Sequence, residues 1–374
     1  MRVIMSGGGT GGHIYPAIAI ADKIKDRRPD AEILFVGTER GLEKALVPQS
    51  GHQIRFITAS GFNRKKMLKN FKTLSDLGRG LSEAKAIIKE FKPDVVIGTG
   101  GYVCGPVAKA AHSLGVRVFI HEQNAFPGLT NRLLEKHAEK IFLGFEEAGA
   151  HFKKKDKLVF SGNPVREDFF KTDKESARAK LGVGNDSFIV LSFGGSQGAA
   201  KLNEVMAEVA AVLSGIENVT LFFATGRFYY DSVVYRLQED GTDLGKNIYV
   251  LPYLDEMEQY LAACDVVVSR AGALTVSEIT VCGKPAILVP SPNVTGNHQH
   301  FNAKALADRG GAVLMEEKDL TAGELIKTLT GMKNDCGQLA KMAAASRGAA
   351  RSGAADVICE NIGLLSVQRL EEQE

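Results

Sequence analysis

The sequence predicts an α/β protein made of two Rossmann-like domains, each a doubly wound parallel sheet. Short runs rich in Val, Ile and Phe alternate with segments of helical pattern along the whole chain. The runs are continuously apolar, which is typical of parallel strands that are buried on both faces. The opening order of apolar strand, glycine-rich turn and helix recurs in the second half of the chain, and this repeat indicates a second domain of the same design.

Thirteen apolar runs are the candidate strands. In the first half they are RVIMS, EILFVG, IRFIT, DVVIG, VRVFIH, KIFLG and LVF, and in the second half FIVLSF, VTLFFAT, NIYVLPY, DVVVSR, PAILVP and AVLM. Between the halves, Pro164 and a charged, helix-forming segment precede a fresh start at Phe188. We therefore expect domains at 1–163 and 164–346 that face one another across a cleft. We expect the helical segment 347–374 to pack back on the first domain.

The composition limits the classes of function. With 374 residues, 44% apolar and 24% charged, the chain has the make-up of a soluble protein with roughly two to three domains. Its 46 basic and 44 acidic side chains give a net charge of +2, so no global field attracts nucleic acid. The five cysteines form no CxxC pair, which indicates reduced thiols in a cytoplasmic protein. No apolar run approaches the ~18–20 residues that span a bilayer.

The first glycine-rich turn, SGGGTGGHIYP, has the form of a phosphate-binding turn but ends in a histidine. Gly7, Gly9 and Gly12 match GxGxxG, a weak signal on its own. A dinucleotide site also needs an acidic residue after the next strand, and Glu39 is a poorly placed candidate for it. No Gly-Lys-Ser/Thr follows, which excludes a P-loop. Dinucleotide binding therefore stays open as one alternative at this turn.

Two further segments of the second half can face a ligand. The turn GGSQG, residues 194–198, directs backbone N–H groups and a helix N-terminus at whatever lies beyond it. In SRAGALTVSE, Gly272 permits a turn and Thr275 or Ser277 can cap the next helix. Glu278 then lies about one turn into that helix, where a carboxylate could accept both hydroxyls of a ribose. The competing interpretation is that Glu278 only completes a capping arrangement.

Seven ordered motifs together resemble the MurG family of glycosyltransferases. They are GGGTGGHIYPA, GTGGYVCGP, HEQNAFPG, GNPVR, GGSQGA, SRAGALTVSE and NHQHFNA, and the resemblance runs from Met1 to about Ala350. It implies the GT-B fold, with two opposed Rossmann-like domains and an interdomain cleft. It also implies a reaction of peptidoglycan synthesis, the inverting transfer of GlcNAc from UDP-GlcNAc to the C4 hydroxyl of lipid I. Lipid I is the undecaprenyl-diphosphate-linked MurNAc-pentapeptide, and the products are lipid II and UDP.

The resemblance assigns roles to the residues that stand in these motifs. It implies a catalytic group of His13, Glu122 and Asn124, with Tyr102 and His121 as candidate acceptor contacts. Within the donor site, Ser196 and Arg166 would meet the diphosphate, Leu254 the base and Glu278 the ribose. The full substrate-binding set is Thr10, Gly11, Gly12, Asn124, Arg166, Ser196, Leu254, Ala273, Leu274, Thr275, Val276, Ser277, Glu278 and Gln299.

We expect neither a metal nor another cofactor. The chain has no Asp-x-Asp, and the histidine pair His298 and His300 has no carboxylate cluster beside it. Backbone amides, helix dipoles and Arg166 would then stabilise the departing UDP. His13 opens the first helix, whose positive end favours a neutral ring, and a neutral imidazole can take the acceptor's proton. The alternative is that His13 only hydrogen-bonds substrate or caps the loop.

A basic, amphipathic stretch, residues 61–90, is a candidate membrane surface. It carries eight Lys or Arg against three Asp or Glu, with Met67, Leu68, Phe71, Leu74 and Leu77 at helical spacing. Such a stretch can lie on an anionic bilayer, here the cytoplasmic face of the cell membrane. The competing interpretation is a core-facing helix with a solvated basic face.

Three alternative functions remain at the level of sequence. One is another enzyme with the same two-domain layout, such as a UDP-GlcNAc 2-epimerase or a glycolipid glycosyltransferase. The second is a catalytically silent nucleotide-sugar-binding protein at the membrane, and the third is a dehydrogenase. The ordered motifs argue against the first, His13 argues against the second, and the lack of an acidic fingerprint argues against the third.

Overall fold

The computed structural model describes residues 1–61 and 70–364, and for residues 70–74 it describes the backbone only. Within these residues the chain divides into two compact units. The N-terminal unit is the chain up to Val165 together with the segment that begins at Arg351. The C-terminal unit is Arg166–Ala350.

The unit limits differ slightly from the domain limits expected from the sequence. The first unit extends to Val165 rather than 163, and the return segment begins at Arg351 rather than 347. The second difference has a simple cause, because the last long helix of the C-terminal unit continues to Ala349. Residues 365–374 of the expected C-terminal segment lie outside the described residues.

The N-terminal unit contains a sheet in which the described strands number seven. Their order is β3-β2-β1-β4-β5-β6-β7, and every pairing is parallel. The strands are β1 Arg2–Gly7, β2 Glu32–Gly37, β3 Gln53–Phe56, β4 Val95–Gly100, β5 Arg117–Glu122, β6 Lys140–Leu143 and β7 Leu158–Phe160. The helices around it are α1 Gly11–Arg27, α2 Glu43–Gln49, α3 Asn70–Phe91, α4 Cys104–Ser113, α5 Leu129–Leu134 and, from the return segment, α15 Ala354–Asn361.

The C-terminal unit has a second parallel sheet, of six described strands in the order β10-β9-β8-β11-β12-β13. The strands are β8 Phe188–Phe193, β9 Val219–Ala224, β10 Ile248–Leu251, β11 Val266–Ser269, β12 Ala286–Leu288 and β13 Ala312–Leu314. The helices are α6 Asp168–Lys171, α7 Lys174–Lys180, α8 Ala200–Leu213, α9 Tyr230–Glu239, α10 Met257–Ala263, α11 Ala273–Val281, α12 His298–Ala307, α13 Ala322–Asn334 and α14 Cys336–Ala349.

The thirteen predicted strands are all present, and the prediction of two Rossmann-like parallel-sheet domains is confirmed. The central strands are buried along almost their whole length, which explains their continuously apolar sequences. In each unit the chain adds strands first on one side of the starting strand and then on the other. The order therefore reverses between β1 and β4, and again between β8 and β11.

Side chains on both faces of each sheet pack against the helices. In the N-terminal unit, the return helix α15 covers part of the face that α1 covers, and its Ile358 and Cys359 are fully buried there. Arg27 of α1 holds the same helix through an ion pair with Asp356 at 2.7 Å. In the C-terminal unit, side-chain caps begin several helices, for example Asp173 Oδ1, which accepts from Ser176 N at 2.9 Å.

The described part of the basic stretch is a packed helix. From Ser75 onward, α3 buries Ala84, Ile87 and Ile88 in the core of the N-terminal unit, while Arg79 is exposed and pairs with Glu83. This half fits the interpretation of a core-facing helix with a solvated basic face. Residues 62–69, with much of the positive charge, lie outside the described residues. Among the helices that the structure does describe, none combines the length and the apolar character that a bilayer crossing requires.

Candidate functional site

The predicted site residues follow the carboxyl ends of strands in both units. Ligands of doubly wound sheets bind outside this edge, at the point where the strand order reverses. In the N-terminal unit, the glycine-rich turn follows β1, Tyr102 follows β4, and the HEQN motif spans the last two residues of β5 and the start of the next loop. In the C-terminal unit, the loops after β8 and β11 carry the second glycine turn and the start of α11. Each unit therefore gathers its own set of predicted residues at its own switch point.

The first glycine-rich turn connects β1 to the N-terminus of α1. Thr10 stands in the N-cap position with an extended backbone, and its carbonyl accepts from His13 N at 3.1 Å and Ile14 N at 3.3 Å. Thr10 and Gly12 are exposed, and Gly11 is half-buried. The start of a 17-residue helix is thus open to a ligand, an arrangement that favours negative charge.

The His13 ring is oriented by the turn that precedes it. Its Nδ1 lies 3.0 Å from Gly8 O and 3.4 Å from Thr10 Oγ1. Because a carbonyl oxygen can only accept, Nδ1 must carry the proton of that hydrogen bond. In the neutral ring the lone pair is then on Nε2, which lies over the backbone of Gly100. A histidine in this tautomer can accept a proton at Nε2, as a general base does.

Glu43 lies beneath this turn and was missed in the sequence. It is fully buried at the start of α2, and Oε2 accepts from Gly9 N at 2.9 Å. Oε1 accepts from both Thr38 N, at 2.9 Å, and Thr38 Oγ1, at 2.8 Å. Glu39, the acidic residue that the sequence offered near this turn, is exposed. The available signal was a second acidic residue four positions after Glu39, at the beginning of a helix.

Glu122, which was expected in the catalytic group, lies at the end of β5 and holds the loop that follows it. Its side chain is almost completely buried, and its two oxygens accept four hydrogen bonds from the loop that follows β5 and from α5. Oε1 accepts from Asn124 N and Nδ2, and Oε2 accepts from Gly128 N and Asn131 Nδ2, at 2.8–3.2 Å. These hydrogen bonds hold the loop and Asn124 in place, and a catalytic role of Glu122 stays a prediction. Asn124 itself is half-buried at the edge of the sheet.

His121 was expected to contact an acceptor, and this contact stays a prediction. The ring is fully buried, Nε2 donates to Gly162 O at 3.2 Å, and Nδ1 accepts from Gln123 Nε2 at 2.9 Å. Burial lowers the pKa of His121 to about 4, so the ring is neutral near pH 7. Tyr102, in contrast, is half-buried beside Gly9, and its hydroxyl lies 3.5 Å from Thr38 Oγ1. Acceptor contact by Tyr102 stays a prediction.

The second glycine turn follows β8 and packs through its backbone on another turn. Gly198 N donates to Gly195 O at 2.9 Å, which closes the loop and leaves Ser196 exposed at its tip. A Cβ at Gly198 would lie 2.1 Å from Thr225 O, and a Cβ at Gly226 would lie 2.5 Å from Gly198 N. Because of these contacts, neither glycine can be replaced unless the backbone moves. Both glycines also have positive φ, which other residues rarely adopt.

Helix α11 begins differently from the sequence prediction. Gly272 is the N-cap residue and has no side-chain cap, so the expectation that Thr275 or Ser277 caps the helix is wrong. Both lie inside the helix, where Ser277 Oγ donates to Ala273 O at 3.0 Å. Glu278 is the sixth helical residue and is not placed to complete a capping box, which needs the third position. The interpretation that Glu278 only completes a capping arrangement is therefore excluded, and the ribose contact of Glu278 stays a prediction.

Glu278 lies in a charged group with Arg166 and Glu258. Arg166 pairs with the nearly buried Glu258 at 3.3 Å and covers the Phe169 ring with its guanidinium at 5.2 Å. Burial, which disfavours the charged form, raises the pKa of Glu278 to about 7. The positive charge of Arg166 lowers this pKa, and the negative charge of Glu258 raises it further. Glu278 is thus poised to change charge near neutral pH, a property frequent among functional carboxyls.

The remaining predicted donor residues lie along the same edge of the C-terminal sheet. Leu254 and Val276 are buried and Ala273 nearly so, whereas Leu274 and Thr275 are half-buried. Gln299 Oε1 accepts from Ser291 N at 2.9 Å, so its amide N–H groups are the donors that it can offer to a ligand.

The histidine pair of α12 does not converge on one point. His298 Nδ1 bonds to Thr295 O at 2.8 Å, and His300 Nδ1 to Glu316 Oε1 at 2.6 Å. In residues 1–61 and 70–364, no three His, Cys, Asp or Glu side chains are grouped so that they could hold a metal ion.

Both halves of the chain match models of known domains. Residues 3–143 match the glycosyltransferase family 28 N-terminal domain, and residues 189–358 match the glycosyltransferase family 28 C-terminal domain. A protein of Alkaliphilus metalliredigens is 45% identical over 96% of this chain and 97% of its own length. A protein of Acetivibrio thermocellus is 45% identical over 97% of each chain. Both bear the name UDP-N-acetylglucosamine–N-acetylmuramyl-(pentapeptide) pyrophosphoryl-undecaprenol N-acetylglucosamine transferase.

Solved structures share the fold. Acinetobacter baumannii MurG superposes with a TM-score of 0.78 at 29% identity, covering 97% of this chain and 99% of that one. The UDP-GlcNAc 2-epimerase of Neisseria meningitidis superposes with a TM-score of 0.68 at 13% identity, covering 97% of this chain and 99% of its own. At that identity the epimerase shows a common GT-B fold and nothing about activity.

The contacts of Glu122 predict a structural loss on its isosteric replacement. Glu122→Gln puts an amide N–H₂ where an oxygen now accepts two donors, so we expect the free energy of unfolding to fall by about 2–4 kcal/mol. Urea denaturation measures this change. Glu139→Gln is the matched control, since Glu139 pairs with Arg117 at the surface and should lose less than about 1 kcal/mol. Equal losses in the two variants would contradict the assigned role.

Proposed function

The chain belongs to glycosyltransferase family 28, and we propose that it transfers N-acetylglucosamine from UDP-N-acetylglucosamine to lipid I, giving lipid II and UDP. The observation that carries this function is the 45% identity, over nearly the full length of both chains, to relatives that are named for the reaction. The 2-epimerase alternative rests on a likeness at 13% identity and is not favoured. The reaction belongs to peptidoglycan synthesis and thus serves cell-wall biogenesis, cell shape and cell division.

In this proposal each unit supplies one part of the chemistry. The uridine nucleotide occupies the carboxyl edge of the C-terminal sheet, with its ribose on Glu278, its base beside Leu254 and its diphosphate at the turn of Ser196. The acceptor sugar meets the glycine-rich turn of the N-terminal unit, where His13 Nε2 takes the proton of the C4 hydroxyl. The oxygen then attacks the anomeric carbon, the bond to UDP breaks, and the configuration inverts.

The charge that develops on UDP needs donors in the same region. The exposed turn at Ser196 and the N-terminus of α8 present backbone dipoles, and Arg166 lies in the group around Glu278. Preorganised donors of this kind stabilise a leaving group without reorganisation, and one well-aimed donor is worth about 3 kcal/mol. We propose that these groups do this work, with Thr10, Gly11 and Gly12 beside the donor sugar.

The function is tested with radiolabelled UDP-GlcNAc and a short-chain lipid I analogue. We expect label in the lipid product and UDP release only when the acceptor is present.

In the same assay, His13→Ala should lower kcat by about 10²- to 10⁴-fold, the range of a general base, while the Kd for UDP-GlcNAc is unchanged. His151→Ala, at an exposed histidine of the same unit, is the control. Release of UDP without acceptor would contradict the reaction, and an unchanged kcat would remove His13 from the base role.

Glu278 predicts that donor affinity depends on pH. Its raised pKa means that the carboxylate, the better acceptor for ribose hydroxyls, forms only as the pH rises through about 7. We expect the Kd for UDP-GlcNAc to increase by roughly tenfold from pH 8 to pH 6, since about nine-tenths of the charge is lost over that range. Calorimetric titration measures it. Glu278→Gln should bind more weakly with no such slope, and Glu208→Gln, at the surface of the same unit, should keep it. A wild-type Kd that is constant over this range would contradict the assignment.

We further propose that the protein works at the cytoplasmic face of the cell membrane through residues 61–90. The support is the charge of this stretch and the lipid-linked acceptor of the proposed reaction. Lys65→Gln/Lys66→Gln should weaken binding to anionic vesicles by about thirtyfold, at about 1 kcal/mol for each lysine, and added salt should weaken the wild type. Lys44→Gln/Lys109→Gln, at exposed lysines of the same unit, is the charge-matched control. Equal flotation of the two variants with vesicles would contradict the proposal.

A further inference from the structure

We infer that Glu43 is a positioning residue for His13 and acts through the single peptide group between Gly8 and Gly9. The inference rests on the proposed role of His13 as the base. Glu43 touches neither the ring nor any position assigned to substrate. What it holds is the backbone unit that orients the ring.

The two contacts belong to one rigid group. Gly8 O accepts from His13 Nδ1 at 3.0 Å, and Gly9 N donates to Glu43 Oε2 at 2.9 Å. This carbonyl and this N–H are the two polar groups of the same peptide bond. In a trans peptide they point in opposite directions from one plane. The carboxylate therefore fixes the plane from one side, and the carbonyl on the other side fixes the tautomer of the ring.

The carboxylate itself is held firmly. Its other oxygen accepts two hydrogen bonds from Thr38, at the end of β2, and the side chain has no exposed surface. Hydrogen bonds to an ionised acceptor are shorter and stronger than those between neutral groups. A buried carboxylate with fewer donors would be costly, so this site is built around the charge.

Close contacts enclose the Gly8–Gly9 peptide on two sides. A Cβ at Gly8 would lie 2.6 Å from Glu43 Oε1, so only glycine lets the carboxylate come this close. On the opposite side, a Cβ at Gly101 would lie 2.3 Å from Gly8 O. The Gly8–Gly9 peptide is thus enclosed between Glu43 and the loop after β4. It cannot rotate without losing the Glu43 contact.

The same geometry explains why a glutamine cannot substitute. Oε1 serves the two Thr38 donors and Oε2 serves Gly9 N, so all three contacts need acceptors. The Gln side chain has one acceptor oxygen, and its amide nitrogen would face a donor. If the oxygen stays with Thr38, the Gly9 N–H is repelled and the peptide turns. Gly8 O then no longer selects the Nδ1–H tautomer of His13.

The test reads the tautomer directly by two-bond ¹H–¹⁵N correlation on ¹⁵N-histidine protein without substrates, with His13 assigned from a His13→Gln spectrum. We expect Nδ1–H in the wild type and a shift toward Nε2–H in Glu43→Gln. With it, kcat should fall by about 10- to 100-fold, as for a misplaced catalytic group, while the Kd for UDP-GlcNAc stays within about twofold. Glu139→Gln should change none of these quantities.

Each outcome decides the inference. A wild-type ring in the Nε2–H form overturns it, and so does a folded Glu43→Gln variant whose His13 keeps Nδ1–H. If Glu43→Gln does not fold, Gly101→Ala displaces Gly8 O from the other side and must produce the same change of tautomer. Because the tautomer is read without substrate, a failure of the proposed transfer reaction leaves this result standing. The converse also holds, since GlcNAc transfer can be observed whatever the tautomer.

Discussion

Parallel pairing of every described strand is the constraint on which both units depend. In a parallel sheet all carboxyl ends meet at one edge, so residues far apart in sequence converge there. In the N-terminal unit this brings the loops after β1 and β4 together at the reversal of strand order. In the C-terminal unit it does the same for the loops after β8 and β11. The chemistry of each unit is thus placed by topology before any side chain is considered.

Buried carboxylates then hold those loops in shape. Glu43 takes its donors from the turn after β1 and from the end of β2, and Glu122 takes four donors from the loop after β5 and from α5. A buried charge is tolerated only when hydrogen bonds replace the water that it loses. Both residues therefore impose order on backbone that has no regular structure of its own. Glu278 differs, because burial and a like charge nearby raise its pKa instead.

Patterns of strands and turns were predictable from the sequence because they are local. Continuous apolar runs gave the strands, and the repeated strand–turn–helix order gave two domains, in agreement with the structure. The role of Glu43 was not predictable, since its three donors come from two different loops. The resemblance places Glu122 in the catalytic group, and that role stays a prediction. The saturation of Glu122 by Asn124, Gly128 and Asn131 is visible only in three dimensions. The predicted cap of α11 was wrong for a related reason. Thr275 and Ser277 are good capping residues, but the chain turns earlier, at Gly272.

In the proposed nucleotide site, the close approach of Gly198 to Gly226 limits how selectivity can be altered. Main chain meets main chain there, without an intervening side chain, so mutation cannot tune that junction gradually. A redesign of the proposed site for another nucleotide has to leave both turns intact and vary the side chains of α11 or Gln299. The conformationally rigid part of the C-terminal unit and its adjustable part are therefore different segments of the chain.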